Sequence, residues 1–134
     1  MERPITVLRM TGEQHERLRH HLFREDGCES VALALCGTRF GVDRQIYSIH
    51  EIFEIPSEAC SIRSPTTVRW PVEMAMDLFS KAIKREMAIL KIHSHPTGFD
   101  HFSKFDDDSD TALLGAFSSH LADPPRESLT YILS

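Results

Sequence analysis

Met87-Ala88-Ile89-Leu90-Lys91-Ile92-His93, continued by Ser94-His95-Pro96, is the stretch on which the reading of this chain turns. A short apolar run, charged before it and closed by Ser-His-Pro, has the pattern of a mostly buried strand. Residues i and i+2 of a strand face the same side, so His93 and His95 can aim both imidazoles at one point. Pro96 has no N–H to offer a ladder and biases His95 toward extended backbone.

Beyond Pro96, residues 97–102 include Gly98 and can swing the chain back over the histidines. Ser103-Lys104-Phe105-Asp106 then has the spacing of a capping box opening a helix, which sets Ser103 and Asp106 together at its N-terminus. Two imidazoles and one carboxylate can hold a zinc ion and leave a coordination position open, the feature that separates catalytic from structural zinc. Other readings of these residues are weaker. With 8 histidines in 134 residues, an isolated His-x-His can arise by chance, and Asp106 alone could be a helix cap. The run Asp106-Asp107-Asp108-Ser109-Asp110 begins like a calcium loop, but Thr111 stands where glycine is needed and Phe117 where glutamate is needed. Asp107, Asp108 and Asp110 read as a solvated first turn favoured by the helix dipole. Only zinc accounts for all the positions at once.

Read residue by residue, the motif resembles the signature of the JAMM/MPN metalloproteases: His93-Ser94-His95-Pro96, six residues, then Ser103 and Asp106. That family also uses a glutamate at the start of an early strand, and Glu29 in Asp26-Gly27-Cys28-Glu29-Ser30-Val31 stands at the matching place. The wording around Glu29 is most similar to the prokaryotic JAB branch, whose domains occur alone or with ThiF-type adenylating domains in ubiquitin-like conjugation systems. The resemblance implies an α/β fold, a mixed β-sheet flanked by helices of the JAMM/MPN (cytidine-deaminase-like) kind. It also implies a Zn2+ ion held by His93, His95 and Asp106 with water as fourth ligand. Glu29 would be the general base, and Ser103 would donate to the oxyanion. The implied activity is zinc-dependent hydrolysis of the amide or isopeptide bond at the C-terminus of a ubiquitin-like protein. The implied partners are that protein or its conjugate and a ThiF-type adenylating domain or protein. Two alternatives stay open at this point: a non-catalytic MPN scaffold that binds a ubiquitin-like protein or partner subunit, and a small-substrate zinc amidohydrolase. Glu51, Glu54 and Glu58 are rivals for the base.

Composition fits a single domain of 134 residues with room for one core. At 41% hydrophobic and 26% charged residues it is neither disordered nor membrane-embedded. No apolar stretch reaches membrane-spanning length, and Met1-Glu2-Arg3-Pro4 lacks a secretory core. A formal charge of −5 argues against nucleic acid as a partner. Arg17, Arg19 and Arg24 lie among Glu13, Glu16, Glu25 and Asp26, which reads as a mixed-sign helix surface. Three irregularly spaced cysteines are no disulfide framework and suit the cytoplasm. Cys36 reads as a core hydrophobe, and Cys28 lacks a partner histidine that would make it a nucleophile.

Around the motif, the spacing predicts a helix over 11–24, capped by Thr11 and Gln14, with Leu18 and Leu22 on one face. Strands are predicted over 30–36 and 45–55, with a turn within 37–41 and a loop over 56–65. That loop reads as a plain connection or a rim of the substrate groove. Pro71 opens a helix over 71–84 with Val72, Ala75, Met76, Phe79 and Ile83 as its core stripe. A helix over 106–121 and a strand over 128–132 complete the set. The chain stops on Tyr131-Ile132-Leu133-Ser134, apolar strand sequence, which implies a domain that continues in a longer protein.

Overall fold

The computed structural model describes residues 5–96 and 128–133. The elements run β1 (Ile5–Arg9), α1 (Gly12–Leu22), β2 (Val31–Phe40), β3 (Arg44–Glu54), a 3-10 turn (Ser57–Ala59), β4 (Ile62–Arg63), β5 (Val68–Arg69), a second 3-10 turn (Val72–Ala75), α2 (Met76–Arg85), β6 (Ala88–Ser94) and β7 (Ser128–Leu133). Five strands form one sheet in the order β1-β3-β2-β6-β7. Its inner pairs β2–β3 and β2–β6 are antiparallel, while β1–β3 and β6–β7 are parallel. The sheet is therefore mixed, as expected for a JAMM/MPN-type α/β domain. The predicted helix over 106–121 lies outside the described residues.

The alternation of side chains in β2 and β6 divides the core in two. Val31, Leu33, Leu35 and Ile89 pack on one face with Leu78, Phe79 and Ala82 of α2. Ala32, Ala34, Cys36, Ala88, Leu90 and Ile92 pack on the other face with Leu18 and Leu22 of α1. Strand β6 is buried along its whole length. A helix thus covers each side of the sheet, and each fully buried Leu or Phe contributes about 1.5–3 kcal/mol. His93 follows Ile89 at even spacing, so its ring belongs to the α2 face.

Local chemistry explains the elements. Gln14 N–H donates to Thr11 Oγ1 at 3.0 Å and Thr11 N–H to Gln14 Oε1 at 2.9 Å, the predicted capping box of α1. Strand β2 continues through Gly37 to Phe40, so the turn starts only at Gly41, the last residue of the predicted 37–41 segment, whose N–H donates to the Arg44 carbonyl at 2.7 Å. Gly37 serves packing here: a Cβ at that position would meet the His50 ring at 2.9 Å. Pro71 is extended and precedes a 3-10 turn, so α2 starts at Met76, later than predicted. The 56–65 segment contains the β4 half of a two-stranded hairpin with β5. Its strands of two residues are too short to show a period in sequence. Strand β1, over the β-prone Ile5-Thr6-Val7-Leu8, is not among the predicted strands, because its parallel pairing with β3 is what makes it one. Among the described residues, no helix is long and apolar enough to cross a membrane.

One buried histidine locks α1 to β2. His21 Nε2–H donates to the Val31 carbonyl at 2.9 Å, and Nδ1 lies 3.1 Å from an Arg24 nitrogen. Arginine can only donate, so Nδ1 accepts and the neutral ring carries its hydrogen on Nε2. Burial holds the imidazole below its ordinary value of 6.5, opposed by the Val31 bond and the Glu54 carboxylate and reinforced by Arg24 and Arg63. The folded state therefore binds fewer protons than the unfolded one. The contribution of His21 is present above the unfolded pKa and is lost as pH falls through it toward the folded value. Urea midpoints are expected to drop between pH 7 and pH 5, and His21→Gln is expected to flatten that slope. An unchanged slope in the variant would assign the acid sensitivity to other groups.

Candidate metal centre

The site lies where the open ends of β2 and β6 meet. Glu29 sits two residues before β2, His93 near the end of β6 and His95 just past it, and Val31 pairs in register with His93. Each of Glu29, His93 and His95 offers one ligand atom, and these atoms all lie within 4.8 Å of one another. The two imidazole Nε2 atoms are 2.9 Å apart, with ring centroids at 4.7 Å and planes tilted by 59°. All three residues are buried, at 2%, 0% and 4% exposure. The strand period that predicted convergence of the histidines is thus realised, and Glu29 joins them across a separation that no local spacing encodes.

The donor set fits a divalent transition metal. Imidazole nitrogen and carboxylate oxygen are the ligands zinc accepts, at about 2.0–2.2 Å. Two ring nitrogens at 2.9 Å share either a proton or a cation. A carboxylate buried among them is costly unless a positive charge compensates it. Ser103 and Asp106, the expected oxyanion donor and third ligand, lie outside the described residues.

Backbone and side-chain bonds frame the cluster. Glu29 N–H donates to the Ser64 carbonyl at 2.8 Å, next to β4. Ser30 N–H donates to Ser94 Oγ at 3.1 Å, and Ser94 N–H to the Ser30 carbonyl at 3.1 Å. Gly27 supplies the left-handed turn, at φ 66°, that brings this segment into β2. The 56–65 segment is therefore more than a connection: its hairpin borders Glu29. Sequence reading missed this role of Ser64 and Ser94, because the partners lie far apart along the chain.

Other candidates are otherwise engaged. Glu54 pairs with Arg17 at 2.8 Å and Glu51 with Lys81 at 3.0 Å, while Glu58 is exposed on the 3-10 turn. Cys28 directs its thiol to the Asp26 carbonyl at 3.7 Å. All three cysteines are free, and burial pushes the Cys36 thiol up to about 12, which keeps it inert. A groove of about 790 Å3 lies along α1 and the following turn, lined by Arg17, His20, His21, Arg24 and Glu54 among others. It contains none of the clustered ligands, and several of its charged groups are already paired.

A mixed sheet with a helix on each face and a buried His-x-His/Glu cluster at its strand ends defines an α/β domain with a candidate metal site. The chain belongs to the family of prokaryotic homologs of the JAB domain, whose family model matches residues 12–132. That family includes peptidases as well as inactive members. No match to the chain is found among curated proteins.

Proposed function

We propose that this chain is a zinc-dependent peptidase or isopeptidase that hydrolyses the amide bond at the C-terminus of a ubiquitin-like protein, in deconjugation or maturation. The observation that carries the reading is the buried convergence of Glu29, His93 and His95. A scaffold has no need to bury three metal-competent side chains within 4.8 Å of one another.

His93, His95 and Asp106 would hold the ion, which when bound polarises the scissile carbonyl and lowers the pKa of water. Glu29 would take a proton from the attacking water and return it to the leaving amine. Ser103 would donate its hydroxyl to the oxyanion. Water adds across the C–N bond, leaving a carboxylate on the ubiquitin-like tail and a free amine. No covalent acyl-enzyme is needed, in keeping with Cys28 facing a backbone carbonyl. A ThiF-type adenylating protein, which activates such a tail, fits as a partner, and the cytoplasm fits free thiols.

The test is intact-mass spectrometry of zinc-loaded protein incubated with ubiquitin-like proteins extended past their C-terminus, beside Glu29→Ala. Cleavage at the tail, absent from the variant, is the expected result. Zinc bound without cleavage of any extended tail would favour the non-catalytic scaffold or the small-substrate amidohydrolase.

A further inference from the structure

The geometry points to Arg63 as the positioning residue that holds Glu29 in the site, an inference that rests on the hydrolase reading above. Its guanidinium binds both ends of the short segment that carries Glu29. One terminal nitrogen donates to Asp26 Oδ2, and the other donates to Asp26 Oδ1 at 3.0 Å and to Ser30 Oγ at 2.9 Å. Asp26 Oδ1 also accepts from Cys28 N–H at 3.0 Å, which turns the start of the segment inward. The residue after Arg63 completes the clasp, since the Ser64 carbonyl accepts the Glu29 N–H at 2.8 Å.

The clasp continues into the histidine strand. Ser30 exchanges two bonds with Ser94, which stands between His93 and His95. A line of bonds therefore runs from Asp26 through Arg63 and Ser30 to the metal-binding strand, with Glu29 inside it. An ion pair in open water would do little to hold a loop. Here the Arg63 side chain is only 12% exposed, against 48% for Asp26. A planar guanidinium can reach three acceptors in fixed directions, whereas a lysine ammonium is a single point charge. The Arg63 hydrogen bond holds the Asp26 carboxyl below its ordinary range, so the pair stays ionised at neutral pH.

Displacing a reacting group by an ångström can cost about 100-fold in rate. Arg63→Ala is expected to lower kcat by about 10–100-fold while KM and zinc affinity stay within about two-fold. Independently of turnover, the Glu29 amide is expected to exchange hydrogen about ten-fold faster in Arg63→Ala, with the Leu33 and Leu90 amides unchanged. Arg63→Lys is expected to recover part of both losses, and Asp26→Asn, which keeps the Ser30 bond, to fall between. Unchanged Glu29 exchange in Arg63→Ala would overturn the inference. So would equal acceleration at Leu33 and Leu90, which would make Arg63 a general stabiliser. If the wild type cleaves no tail, the hydrolase reading fails by itself, and the exchange pattern still decides whether Arg63 holds Glu29.

Discussion

Glu29→Gln is expected to bind zinc as tightly as the wild type and to lose about 10²–10⁴-fold in turnover. The substitution keeps the size and planarity of the side chain and removes the proton acceptor. Glu29 is 2% exposed and offers its oxygen within 4.8 Å of the ligand nitrogens of both histidines. At that distance two roles are geometrically available, a proton acceptor beside the ion or a ligand on it. The variant separates them. Zinc affinity, measured by competition with a chromophoric chelator, stays constant if Glu29 is the base and falls with activity if it is a ligand. Retained turnover would remove Glu29 from the mechanism altogether and reopen the choice of base.

His95→Ala is expected to abolish stoichiometric zinc binding, and with it all turnover. The ring it removes is 4% exposed and has its Nε2 atom 2.9 Å from that of His93. One imidazole and one carboxylate do not make the three-ligand set of a catalytic zinc site. Mass-spectrometric metal content gives the direct readout, and thermal melting gives a second. A ligand that binds only the folded state stabilises it by about 2.7 kcal/mol at a free concentration 100 times Kd. Added zinc should therefore raise the melting temperature of the wild type by several degrees and leave His95→Ala unmoved. Because deleting a buried ring also opens a cavity, His95→Gln serves as a companion variant that keeps most of the volume. Zinc retained at full stoichiometry by both variants would sink the ligand assignment. EDTA treatment of the wild type should reproduce their melting behaviour.

Both expectations start from local pattern. The apolar run ending in His93-Ser94-His95-Pro96 was legible as a strand because its signal, a short buried run stopped by proline, needs no distant partner. The same holds for the capping box at Thr11 and Gln14 and for the stripe of Met76, Phe79 and Ile83 within α2. Where the reading slipped, tertiary packing had overridden local preference. Gly37 resembles a turn residue in sequence, yet it lies in β2 because the antiparallel ladder with β3 carries on through it, opposite Ser48. Strand β1 is a strand by virtue of parallel pairing with β3, with Ile5 opposite Arg44.

The sequence by itself determined that two histidines share one strand face and where most of the helices and strands fall, because side-chain periods and caps are properties of neighbouring residues; the mixed sheet was implied only by the family resemblance. It pointed to Glu29 only through context. The tertiary structure decided that Glu29, and not Glu51 or Glu54, meets the histidines, and that Arg63 closes on the segment that carries it. Arg63 and Asp26 are 37 positions apart, and Ser30 and Ser94 are 64 apart. Contacts of that span follow from strand register and from which edge the hairpin borders, so they exist only once the sheet is assembled.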